Sequence, residues 1–150
     1  MMQRAVLAAV LPPASPADSS GASPAVSELV SAMRVLVIED DAMIGVLLAD
    51  MLEQLGFEVC AIESNEADAV AAAHRYRPGL MIVDARLGTG SGISAVDEIL
   101  RTRTVPHLFV SGDTSMVRKL RPDAVVLQKP FREHDLTRAI ERVLGTATIY

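Results

Sequence analysis

The chain has 150 residues, room for one domain of ordinary size. Half of them are hydrophobic and only 3% aromatic, so its core must be built from aliphatic side chains. A net charge of -5 with no long basic run leaves no nucleic-acid footprint, one cysteine rules out an internal disulfide, and no apolar run approaches the ~20 residues of a membrane span.

Residues 1–32 are rich in Ala, Ser and Pro and lack a periodic apolar pattern. They are expected to be a disordered or misassigned N-terminal extension. Arg4, the apolar residues 5–11 and the small residues around 14–17 imitate a secretory signal, but that apolar core is at the short limit for one. Met33 directly precedes the first strand and is the expected true start. The domain is expected over 33–146, with 147–150 as a tail.

From Met33 onward strand and helix alternate. A strand over 34–38 precedes a helix over 42–55, with Ile44, Leu47, Leu48, Met51, Leu52 and Leu55 on one face and Gly56 as its stop. A strand over 57–62 carries Cys60, read as a small buried hydrophobe. Ser64 or Asn65 caps a helix running to about 76, and Pro78-Gly79 breaks the chain. A strand over 80–83 follows, then a mobile glycine-rich turn over 87–92 and a helix over 93–102. Next come a strand over 105–110, a short helix over 114–120, a strand over 124–128 and a helix over 133–144 that Gly145 ends. Repeated βα units with short connections predict an α/β fold: a doubly wound, five-stranded parallel sheet covered by helices on both faces. The order 2-1-3-4-5 sets the ends of strands one and three side by side.

Polar groups sit just past the carboxyl ends of four strands, where ligands bind in such sheets. Glu39 and Asp40 follow the first, Asp84 the third, Ser111 the fourth and Lys129 the fifth. Grouped carboxylates suit Mg²⁺, a hard cation that takes oxygen ligands and relieves their repulsion. Asp84 can act as a nucleophile toward a phosphoryl group, and Lys129 can pair with a phosphoryl oxygen. A cis bond to Pro130 would aim the lysine inward. Each group also has a plainer reading: Asp40 or Asp41 as a helix cap, Ser111 as a turn residue before Gly112, Lys129 as a solvated charge. The three histidines show no metal-ligand spacing.

Together, Val35-Leu36-Val37-Ile38-Glu39-Asp40-Asp41, Asp84-Ala85-Arg86-Leu87, Ser111-Gly112 and Lys129-Pro130-Phe131 resemble the receiver domain of two-component response regulators, over nearly all of 33–145. The resemblance implies a flavodoxin-like fold. It implies that Asp84 accepts a phosphoryl group from a phosphohistidine on a histidine kinase or phosphotransfer protein. Asp40, Asp84 and the backbone carbonyl of Arg86 would ligate Mg²⁺, with Glu39 acting largely through water. Lys129 would bind the phosphoryl group, and Ser111 would read it by moving toward it. Such a protein modifies itself and is not a turnover enzyme. It is expected in the cytoplasm, signalling to an unidentified downstream protein and not to DNA or a membrane.

The sequence departs from the family pattern at Val126, where many receivers carry Tyr or Phe, and in the short segment between Ser111 and Lys129. An Arg86–Asp113 ion pair across the site is a further expectation. The Val-Leu-Gln-Lys-Pro-Phe ending also resembles stand-alone receivers that partner HWE-class histidine kinases. Two other readings are a pseudo-receiver that binds without phosphorylation and a phosphohydrolase of the haloacid dehalogenase type. The second wants an Asp two residues after the nucleophile, where this chain has Arg86.

Overall fold

Short aliphatic runs that are buried on both sides need a helical layer above and below. The computed structural model describes residues 33–145 and shows that arrangement. The expectations placed on 1–32 and 147–150 lie outside the described residues. The strands β1 (Arg34–Ile38), β2 (Glu58–Glu63), β3 (Leu80–Asp84), β6 (His107–Ser111) and β7 (Val126–Gln128) form one parallel sheet in the order β2-β1-β3-β6-β7. Between them lies a small antiparallel ribbon of β4 (Arg86–Leu87) and β5 (Gly90–Ser91). With the ribbon set aside, the order is the expected 2-1-3-4-5. The helices are α1 (Ala42–Gln54), α2 (Glu66–Tyr76), α3 (Gly92–Leu100), α4 (Thr114–Leu120) and α5 (Glu133–Leu144).

Strand side chains alternate between faces, so each strand feeds two cores. Leu36, Ile38, Met81, Val83 and Phe109 pack with Ala69 and Ala72 of α2, Val96 and Ile99 of α3 and Val117 of α4. Val35, Val37, Leu80, Ile82, Leu108 and Val110 pack with Leu48 and Leu52 of α1 and Leu136 and Ile140 of α5. Every residue of β3 is buried, as befits the central strand.

The departures from expectation have local causes. Leu47 is 52% exposed, along with Met43 and Val46; it sits about 100° around the helix from Leu48, off the inward stripe. Cys60 is only half-buried, because β2 is an edge strand. Its Sγ donates to the Val35 carbonyl at 3.4 Å, and burial pushes the thiol up to about 11. The glycine-rich turn is a two-residue ribbon rather than an open loop, and α3 starts directly from it with Ser91 as N-cap.

Candidate functional site

The alternation that sorts the core also sorts the strand ends. Val35 and Val37, Leu80 and Ile82, and Leu127 face α1 and α5. Continuing that parity carries Glu39, Asp84 and Lys129 toward the same side. Ile38 pairs with Val83, so Glu39 and Asp84 stand side by side at the ends of adjacent strands. Ser111 has the parity of Phe109 and points toward the α4 layer.

The distances bear this out. Lys129 Nζ lies 3.1 Å from Asp84 Oδ2 and 3.6 Å from Glu39 Oε1. Asp84 Oδ1 accepts the Arg86 backbone N–H at 3.2 Å. Glu39 Oε2 accepts the Asp41 N–H at 3.1 Å, while Glu39 Oε1 is buried and receives no hydrogen bond. Glu39 is 2% exposed and Asp84 6%. Burial first, then the neighbouring Asp84, pushes Glu39 up to about 7. For Lys129 burial acts downward, but the hydrogen bond and charge of Asp84, with Glu39 behind it, hold the ammonium above its ordinary value. The Lys129–Pro130 bond is cis.

One carboxylate oxygen from each of Glu39, Asp40 and Asp84 lies within 4.8 Å of the others. Asp40 is exposed at the rim and the other two are buried. Three acceptor-only groups, one with an orphaned oxygen, match the donor set of a hard divalent cation. An open cleft of about 470 Å³ above them gathers Asp40, Asp84, Arg86, Ser111, Asp113 and Lys129. The residues singled out at the four strand ends therefore converge.

Their present engagements differ. Ser111 Oγ donates to the Asp113 carbonyl and accepts the Asp113 N–H, both at 3.0 Å, so its hydroxyl is tied into the turn. Gly112 leaves open space, with nothing within 4 Å of where a Cβ would stand. Asp41 is the N-cap of α1, accepting from Met43 and Ile44. The expected Arg86–Asp113 ion pair is not formed among the described residues. Asp113 instead caps α4, accepting from Ser115 Oγ at 2.8 Å and the Met116 N–H at 3.4 Å. Those bonds hold its carboxyl below the usual range, with the charge of Arg86 a weak, more distant contribution.

Gly92 carries a role the sequence reading missed. A Cβ there would stand 2.0 Å from the Asp84 carbonyl oxygen and 2.6 Å from Val83 Cγ1, so only glycine lets the ribbon close over β3. The signal was the glycine run itself, read only as a turn.

Comparison with known proteins agrees with this geometry. Residues 35–141 match the family model described as the response regulator receiver domain. The chain is 34% identical over 112 residues to the transcriptional regulatory protein PdtaR of Mycobacterium tuberculosis, a match that covers 72% of this chain and 55% of that protein. It is 30% identical over 121 residues to the chemotaxis protein CheY of Bacillus subtilis, covering 76% of this chain and 99% of CheY. The solution structure of the PhyR response regulator REC domain of Erythrobacter litoralis superposes with a TM-score of 0.69 at 30% identity, over 75% of this chain and 89% of that one. The chain belongs to the response regulator receiver family and is a receiver domain of two-component signalling; the phosphohydrolase reading falls with that assignment. It spans about half the length of PdtaR. No helix among the described residues is long and apolar enough to cross a membrane.

Proposed function

We propose that residues 33–146 form a phosphoryl-accepting receiver, with Asp84 the acceptor. The observation that carries this is Lys129 Nζ, placed between Asp84 Oδ2 and the orphaned oxygen of Glu39. One oxygen of Asp84 attacks the phosphorus of a phosphohistidine on a histidine kinase or phosphotransfer protein. The new O–P bond forms as the donor N–P bond breaks, and the electron pair stays on the donor imidazole. Lys129 then transfers its contact from the carboxylate to the phosphoryl oxygens. Asp40, Asp84 and the Arg86 carbonyl would hold Mg²⁺, with Glu39 reaching it through water. The ion would supply positive charge that screens the carboxylates and stabilises the phosphoryl oxygens.

The signal leaves through Ser111. To reach a phosphoryl group, its hydroxyl must abandon both bonds to Asp113, the residue that caps α4. Loss of that turn loosens the start of α4 directly. Val126 is half-buried and aliphatic, so the Ser111–Asp113 link takes the place of an aromatic rotamer. The start of α1 around Met43 and Ile44, with Met43 exposed, is the kinase-facing surface; the Val-Leu-Gln-Lys-Pro-Phe ending supports an HWE-class kinase as the partner. The face of α5 and β7 is the output surface, acting by protein contact, relay or phosphate drainage toward a protein still to be identified. The protein serves as its own phosphorylation substrate in the cytoplasm and is not a turnover enzyme.

Val126 also favours a second reading, a pseudo-receiver that binds partners without phosphorylation. Intact mass after incubation with Mg²⁺ and acetyl phosphate decides between them. A single phosphate adduct on wild type, absent in Asp84→Ala and in EDTA, supports the receiver. No adduct, together with no Mg²⁺-dependent structural response to beryllofluoride, supports the binding module.

A further inference from the structure

Glu66 opens α2 on the far side of the β4–β5 ribbon, and no role in the acidic cluster involves it. The helix does not need it as a cap: Asn65 Oδ1 accepts the Asp68 N–H at 2.9 Å. Instead Glu66 Oε2 accepts the Ser91 N–H at 2.7 Å across 25 residues of sequence, in a partly buried setting. Ser91 pairs with Arg86 in the ribbon, and the Arg86 N–H donates to Asp84 Oδ1. Gly92 N–H donates to the Ala85 carbonyl at 2.9 Å, closing the ribbon's base.

A ribbon of two residues per strand has too few hydrogen bonds to hold its own shape. It needs an anchor, and a charge-assisted bond from a carboxylate is a strong one. The local sequence keeps room for this anchor. A Cβ on Gly90 would stand 2.8 Å from Glu66 Oε2, so glycine leaves the place that the carboxylate occupies.

We propose that Glu66 is a positioning residue for the Asp84 site: it anchors the ribbon through Ser91 and thereby sets the Arg86 backbone against the Asp84 carboxylate. The function of that arrangement rests on Asp84 being the phosphoacceptor; the anchoring itself does not.

The test uses amide hydrogen exchange in the metal-free protein and the half-life of phospho-Asp84 formed with Mg²⁺ and acetyl phosphate. In Glu66→Ala both the Ser91 and the Arg86 amides should exchange about tenfold faster, the scale of one lost charge-assisted hydrogen bond. The phosphoryl half-life should shorten, because an unanchored ribbon opens Asp84 to water. Glu66→Gln keeps an acceptor oxygen but loses the charge, and should fall between wild type and Glu66→Ala. Gly90→Ala needs no unusual backbone angle, since Gly90 is not among the positive-φ glycines. It should reproduce Glu66→Ala by displacing the carboxylate, and the double variant should add nothing to either single change. Faster exchange at Ser91 alone, with Arg86 and the half-life unmoved, would overturn the proposal and leave Glu66 a staple between helix and ribbon. Additive single and double variants would overturn it as well. If wild type takes up no phosphoryl group, the phosphoacceptor reading fails, and the exchange data still judge the anchor on their own.

Discussion

Lys129 and Ser111 end neighbouring strands, and the Lys129 N–H donates to the Ser111 carbonyl at 2.9 Å. Their side chains nevertheless do opposite things. Lys129 is committed to Asp84 and Glu39. Ser111, 5% exposed, is committed to the turn that starts α4. Strand parity explains the split: one residue falls on the α1/α5 side and the other on the α4 side. The difference separates two tasks within one cleft. Under the proposed function, lysine would build the charge balance before a phosphoryl group arrives, and serine would report its arrival by changing partners.

The largest expected effect separates the two residues directly. Lys129→Ala should slow phosphoryl uptake by about a hundredfold, the scale of a partly buried charge-assisted contact of ~3 kcal/mol. Ser111→Ala should slow it far less and should instead abolish the phosphorylation-dependent shift of α4 amide resonances. Equal losses of uptake in the two variants would end the distinction between building and reporting.

The next effect sharpens the builder's side through pH. Glu39 is raised from its ordinary 4.5 to about 7 by burial and then by Asp84. The folded state therefore binds this proton more tightly than the unfolded chain does. The stability this contributes is fully present below about pH 4.5 and is lost as pH rises through about 7. Metal-free protein, unfolded by urea at pH values from 5 to 8, should lose stability across that window. Glu39→Gln should flatten the loss, and added Mg²⁺ should offset it. A wild-type profile as flat as that of Glu39→Gln would show that the orphaned carboxylate carries no such strain.

The smallest effect lies on the reporter's side. Asp113→Ala removes the α4 cap but leaves the backbone groups that hold Ser111. It should cost about 1 kcal/mol in urea unfolding, the usual worth of an N-cap. A cost near zero would mean that α4 is held by the burial of Val117 alone and that the serine turn has no helix to release.

Much of this is legible in the amino-acid sequence itself. The bounds of α4 and α5 and the convergence of Glu39, Asp40, Asp84, Ser111 and Lys129 follow from local patterns of aliphatic runs, cap residues and glycine stops, while the strand order comes from the fold type and the place of Arg86 from the family resemblance. These signals act within a few residues, and right-handed crossovers narrow them to a handful of topologies. The anchoring of Ser91 by Glu66, the collision that reserves Gly92, and the choice of Asp113 between α4 and Arg86 were decided only by the tertiary structure. Each depends on where a side chain points once distant segments are packed together, and on which of several available partners lies nearer. Composition and spacing carry no information on that choice, because the competing hydrogen bonds are chemically alike and differ only in geometry.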